Sequence, residues 1–304
     1  ITWDPVTKQY TTVMTGWSLI DTLTTKDGKL AITGGVHHHS VDTSHNDDKS
    51  ASGRRDQSSA TSPIWGLTYK VNQNTTVYAN HTETFSEGGV VPHGYLNEGN
   101  TIPPSKTKQN EIGVKVKSGA FLHTLSAFKN TQQSSITVPD SKDPSKSWYT
   151  LDGENEYKGL EYSAVGALSD KWDMIFGIAY MDAEKSKTQD GKNDGRKVCG
   201  IPKWSGDLAL TYKPDKATKF ISRLNYTGKT RIRDTSSYAM PIGISSITLL
   251  DLGASYDTKI AGYDATITAM CYNVFNKNYW YASGDNSVGL GAPRNFMVTA
   301  NFKF

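Results

Sequence analysis

The feature that most constrains this chain is period-two alternation of apolar and polar residues, recurring in segments of roughly ten residues. In RNFMVTANFKF, Phe296, Val298, Ala300, Phe302 and Phe304 fall on one face of an extended chain, and Asn295, Met297, Thr299, Asn301 and Lys303 on the other. EIGVKV likewise sets Ile112, Val114 and Val116 against Glu111, Gly113 and Lys115. WSGDLALTY sets Trp204, Leu208, Leu210 and Tyr212 against Asp207, Ala209 and Thr211. Such segments make strands with one oily and one wet face. Strands are predicted near 9–23, 29–42, 63–72, 75–87, 107–117, 121–138, 148–168, 173–188, 203–213, 218–232, 247–258, 264–280 and 294–304.

The connections decide between a soluble sandwich and a membrane barrel. TTKDG, QN, SGA, SDKW, PDKA and the IAG stretch are short, hairpin-like turns. Between them lie long connections near 43–62, 88–106, 139–147, 189–202, 233–246 and 281–293, rich in Ser, Asp, Lys, Gly and Pro. A sandwich has no reason to lengthen every second loop, whereas a bacterial outer-membrane barrel has short periplasmic turns and long outer loops. The expected fold is therefore all-β, an antiparallel transmembrane β-barrel with its C-terminus periplasmic. About thirteen strands is an odd number, and complete bacterial single-chain barrels have an even one. The chain reads as one domain, 1–304, and as part of a larger barrel.

Composition agrees. Apolar residues are 36% of the chain, too few for a large oily core, while an 11% aromatic content and a formal charge of +3 argue against disorder. Thirty-three Lys and Arg against thirty Asp and Glu give no basic surplus that would suggest nucleic acid. No apolar run reaches the ~18 residues of a membrane helix, and ITWDPVTKQY lacks the features of a signal peptide, as in a processed or excised chain. Cys199 and Cys271 lack metal-like spacing.

Several segments resemble the TonB-dependent siderophore receptors. LIDTLTTKDGKLAITGGV (19–36) is similar to a strand–turn–strand of that family, and TTVYANHTETF with KTKQNEIGVKV resembles its Tyr-Ala and Lys-Gln-x-Glu-x-Gly-x-Lys segments through Tyr78, Ala79, Lys108, Gln109, Glu111, Gly113 and Lys115. KGLEYSAVGAL (158–168) looks like its Gly-Leu-Glu strand. YNVFNKNYW and GAPRNFMVTANFKF look like its closing hairpin, with Asn273, Phe275, Lys277, Tyr279, Pro293, Arg294 and Phe304 at matching places. The resemblance implies the later strands of a barrel of about 22 strands, with the family's plug and TonB-contact segment not represented here. It implies a ferric siderophore as transported ligand, no cofactor, a TonB energising complex reached through the N-terminal part, and surroundings of outer-membrane lipid and lipopolysaccharide.

Candidate site residues lie toward the long loops. In GGVHHHSVD, His37 and His39 share the face opposite Leu30, Ile32 and Val36, and so aim into the upper lumen. With Asp42, His45, Asp47 and Asp48 nearby they offer imidazole and carboxylate ligands for a divalent metal, although wet lumen lining accounts for them more simply. The resemblance implies that aromatic side chains hold the ligand, and the loops carry Tyr95, Trp148, Tyr149, Tyr238, Trp280 and Tyr281, which interface girdles explain equally well. Arg54, Arg55, Lys192, Arg196, Lys197, Arg231 and Arg233 could steer an anionic complex or meet lipopolysaccharide phosphates. No GxSxG, HExxH, P-loop or GxGxxG is present, so an enzyme is not expected. Passive porin, translocator and barrel lipase remain as alternatives, the last resting only on Ser40 beside His39.

Overall fold

The structure, a computed structural model, describes residues 10–45, 55–86, 88–232, 243–284 and 287–303. Its main element is one antiparallel sheet of thirteen strands laid down in chain order. The strands are β1 (Tyr10–Thr24), β2 (Leu30–His45), β3 (Arg55–Lys70), β4 (Thr75–Ser86), β5 (Ser105–Ser118), β6 (Phe121–Pro139) and β7 (Ser147–Ser169). They continue with β8 (Trp172–Lys187), β9 (Trp204–Tyr212), β10 (Thr218–Thr227), β11 (Ile247–Ile260), β12 (Tyr263–Tyr272) and β13 (Asn295–Lys303). Every predicted strand is found. Short turns join the strands at one end of the sheet and long connections at the other, and no helix among the described residues is long and apolar enough to cross a membrane.

Register shows how alternation becomes two chemically distinct faces. On one, Phe176 lies opposite Ala164 and Leu208, Leu208 opposite Leu224, and Leu224 opposite Leu250. On the other, Gly177 lies opposite Ser163 and Asp207, and Asp207 opposite Asn225. Among the described residues only eight apolar side chains are buried, and they do not form a core. Large residues of the apolar face stand open instead: Leu160 and Leu19 are 54% and 71% exposed. Such a sheet needs lipid against it.

Aromatic rings bound the apolar band. Near the short turns Trp172, Tyr212 and Phe220 form a row with ring centroids 4.7 and 6.4 Å apart. Toward the long loops Tyr180 meets Trp204 at 5.0 Å, and Trp17 and Trp65 stack on His38 and His81 at 5.6 and 5.8 Å. Trp172 and Tyr180 are eight residues apart on β8, roughly 26 Å along the strand and roughly 20 Å along the normal after a ~40° tilt, near the ~25 Å band of such barrels.

On the polar face, large rings lie over glycines directly across the ladder. Tyr78 opposes Gly113 and Phe128 opposes Gly159, and a Cβ on either glycine would fall within 3.0 Å of the ring. The Tyr78 hydroxyl donates to Glu111, and the Lys115 ammonium sits 5.3 Å from the centre of its ring. The Tyr-Ala and Glu-x-Gly-x-Lys segments thus meet as one cluster, with glycine leaving room for the aromatic ring.

Three boundaries differ from expectation, the simplest being β10, which ends at Thr227 rather than running to 232. The ladder of β2 and β3 continues to Ser44 and Arg55, through most of the stretch expected as a loop near 43–62. Main-chain pairing does not need an apolar face, so strands outlast the alternation that betrays them. Conversely β12 stops at Tyr272 rather than running to 280. Asn273 and Asn276 have φ of 50° and 49°. The buried Asn273 accepts from Lys277 N–H and donates to the carbonyls of Lys277 and Ala292. Asn276 accepts from Arg294 N–H. The YNVFNK motif is a corner, held by side-chain amides in a conformation Asn tolerates.

Candidate functional site

All the candidate residues within the described structure sit toward the long-loop end, but in separate groups. His37 and His39 project from the polar face of β2, as the alternation predicts. Their rings are 6.0 Å apart, edge to face, and His39 also meets Phe85 at 5.7 Å. His37 Nδ1 is 2.7 Å from Ser18 Oγ. Asp42 and Ser40 have the opposite parity and share the side of His38, with Asp42 accepting from Gln57 at 2.9 Å. Alternation therefore separates Asp42 from the imidazole pair and Ser40 from His39, so the lipase arrangement does not form. Among the described residues no three His, Cys, Asp or Glu side chains converge as metal ligands. Asp47 and Asp48, and the His45 side chain, lie outside the described residues.

A second group is assembled from the connection between β4 and β5 and the start of β7. Tyr95, in the connection from β4 to β5, packs edge to face on Tyr149 at the start of β7, with centroids 5.3 Å apart. Asn97 fixes this contact: its amide donates to Tyr149 O at 2.8 Å, and its carbonyl accepts from Tyr149 N–H at 3.0 Å. Leu96 N–H donates to Ser147 O at 2.9 Å, adding a third link. Trp148, next to Tyr149 and so on the opposite face of the strand, donates Nε1–H to Asp140 at 2.9 Å and stays 41% exposed. That bond, with amides of Lys142 and Asp143, holds the Asp140 carboxyl below its usual range. In the same loop as Tyr95, His93 pairs with Glu98 at 2.7 Å; the hydrogen bond raises His93 and lowers Glu98 from their ordinary values.

The third group is the Trp280–Gly284 and Ser287–Leu290 hairpin. Trp280 lines a hollow of about 480 Å³ with Ile232, Ile244 and Val288, whereas the ring of Tyr281 lies against Gly289. Tyr238, Arg54 and Arg233, and the Arg55 side chain, lie outside the described residues. Lys192 pairs with Asp190 at 3.3 Å, and Arg231 is exposed in a short pairing of Thr230–Arg231 with Gly243–Ile244. Lys197 bonds to Asp182 and lies 3.4 Å from Glu184. Both carboxylates continue the apolar-face parity of Tyr180, so Lys197 stands on the lipid side of the wall. Cys199 and Cys271 form no disulfide; Cys271 faces outward opposite Phe296.

Sequence reading missed Asn97, whose partner lies 52 residues away, because no local pattern announces such a contact. Asn273 was visible as part of a motif but not as a corner.

Residues 2–274 match the family model for the TonB dependent receptor-like beta-barrel. The chain belongs to this family. Its place is the bacterial outer membrane. It is 28% identical over 302 residues to the ferrichrome receptor FcuA of Yersinia enterocolitica, covering 95% of this chain and 38% of that protein. It is 28% identical over 252 residues to the ferrichrome outer membrane transporter/phage receptor of Escherichia coli, covering 79% and 31%. Among solved structures, BauA, the ferric preacinetobactin receptor of Acinetobacter baumannii, superposes with a TM-score of 0.79 at 32% identity, over 97% of this chain and 43% of BauA. The siderophore receptor PiuA of the same organism shares the fold with a TM-score of 0.73 at 19% identity. The chain thus spans less than half the length of these family members.

Proposed function

We propose that this barrel wall belongs to a receptor that captures a ferric siderophore at its long-loop end and passes it inward with energy from a TonB complex. In this reading the long loops are extracellular, the C-terminus is periplasmic, and the protein is a transporter rather than an enzyme. The observation that carries it is the Tyr95–Tyr149 pair, clamped by Asn97 where the connection from β4 to β5 meets the start of β7. Aromatic faces with polar tips suit a chelate with both greasy and polar parts, and a clamp formed in advance lowers the ordering cost of binding. His37 and His39 line the wet face below the loop level, and Trp280 and Tyr281 complete the proposed contacts among the described residues. The names of the relatives support a ferric siderophore as the class of ligand.

The test is a tryptophan-fluorescence titration of the full-length receptor in detergent with ferric hydroxamates, ferric catecholates, haem and cobalamin. The expected outcome is saturable, submicromolar quenching by one ferric siderophore class, weakened by Tyr95→Ala. Absence of any response from a folded receptor, together with salt-dependent open conductance, would establish a passive pore instead.

A further inference from the structure

The surroundings of His37 and His39 fix how the two imidazoles are presented. The ladder with β1 sets Ser18 across from His37 and Gly16 across from His39. Ser18 Oγ holds Nδ1 of His37 at 2.7 Å, which leaves Nε2 as the free nitrogen of that ring. A Cβ on Gly16 would lie 3.5 Å from His37 Cε1 and 3.4 Å from His39 Cβ, so glycine leaves both rings room to turn. His39 meets the Phe85 ring at 5.7 Å, and the Lys106 ammonium lies 5.5 Å from the centre of that same ring.

The two imidazole centres are 6.0 Å apart. A transition metal stands about 2 Å from a ligating imidazole nitrogen and so about 3 Å from the ring centre, which allows two imidazoles on one metal to have centres up to about 6 Å apart. Small rotations of the rings therefore bring the pair into chelating position. No third His, Cys, Asp or Glu converges on it among the described residues, and two nitrogens alone do not close a tetrahedral or octahedral shell. A metal held here must bring its remaining ligands with it.

We propose that His37 and His39 bind, through Nε2, a ferric ion that arrives in a tetradentate oxygen chelate with two adjacent coordination positions open. Imidazole suits iron as a ligand, and Lys106 adds a positive charge toward an anionic chelate. Two water molecules leave the metal as the two nitrogens bind. Each ring keeps its proton on Nδ1, that of His37 donating to Ser18, and the iron stays ferric. A hexadentate chelate has no open position and passes the pair without forming a bond. The inference rests on the capture of a ferric siderophore at the long-loop end and adds a preference for complexes with incomplete coordination.

The test uses the full-length receptor in detergent, without an affinity tag. Tryptophan quenching and the visible charge-transfer band are followed with tetradentate ferric bis-catecholate and bis-hydroxamate chelates and with their hexadentate tris counterparts. A tetradentate complex should shift its band on binding. His37→Gln with His39→Gln should abolish that shift and weaken the tetradentate complex at least tenfold. The hexadentate complex should stay within twofold of its original affinity, and the heat-dependent gel shift of the folded barrel should persist. A band unmoved on binding, equal losses for both kinds of chelate, or binding of hexadentate complexes alone would overturn the coordination. Nickel nitrilotriacetate, a tetradentate chelate with two adjacent open positions, gives a readout independent of siderophore recognition. Calorimetry should find a site for it that is lost in the double variant, and nickel binding unaffected by the two substitutions would overturn the site. Failure of every ferric complex to bind, with the nickel site present and lost as expected, would count against the capture reading alone.

Discussion

Single residues hold this wall together where the ladder cannot. Asn273 satisfies three main-chain groups at the end of β12 while its own N–H reaches Asp251 at 2.8 Å. Asn273→Ala keeps none of these side-chain bonds and leaves groups unpaired in a buried corner, so it should cost about 2–4 kcal/mol, read as a lower unfolding midpoint of the receptor in lipid. Gly113 presents a steric rather than a polar constraint. Gly113→Leu should cost about 1–3 kcal/mol by forcing the Tyr78 ring from its place, and Tyr78→Ala in the same chain should recover part of the loss. His93 and Glu98 titrate in opposite directions. The raised His93 contributes stability that is complete below its ordinary value of 6.5 and lost as pH rises through the raised one; the lowered Glu98 contributes above its ordinary 4.5 and is lost as pH falls. The pair is therefore intact in the window from 4.5 to above 6.5. Exchange of the Gly94 amide, which donates to Glu98 at 3.1 Å, should be slowest relative to its intrinsic rate within that window, and Glu98→Gln should abolish the dependence.

At the scale of elements, what the sequence makes legible depends on which force writes it. All thirteen strands were readable because each must show one face to lipid, and that requirement imprints alternation wherever the strand lies in the membrane. Beyond the membrane the requirement ends, so TSH at the end of β2 and RDQSSAT at the start of β3 read as a polar loop. Contact between a loop and a distant strand end leaves no periodic trace at all, and the Tyr95–Tyr149 pair could be named only as two separate aromatics. Asn97 is the test of that contact. Asn97→Ala removes two hydrogen bonds that fix Tyr149 against the neighbouring loop. It should weaken siderophore binding by about 1–3 kcal/mol and speed amide exchange in 147–149, with the unfolding midpoint unchanged. Unaltered affinity would show that the docking of this loop on β7 does not shape the binding surface.

Across the whole molecule, two opposed surfaces share one ladder, and neither has a core behind it. Stability must then come from main-chain pairing and from the match between each face and its surroundings, lipid on one side and water or protein on the other. This makes the effect of a charge depend on parity more than on strand or depth of burial. Phe176 lies midway between the two aromatic rows, on the apolar face. Ala179, three residues on, points to the polar face opposite Glu161 and Ser205. Phe176→Lys should lower the stability of the receptor in lipid vesicles by about 2–4 kcal/mol. Ala179→Lys adds the same charge at the same strand but places it beside a carboxylate in a wet face, where the change should stay within about 1 kcal/mol of zero. Guanidinium unfolding of the two variants compares them directly. A larger penalty at Ala179 than at Phe176 would reverse the assignment of the faces, and with it the inward direction given to His37 and His39 and the outward one given to Lys197.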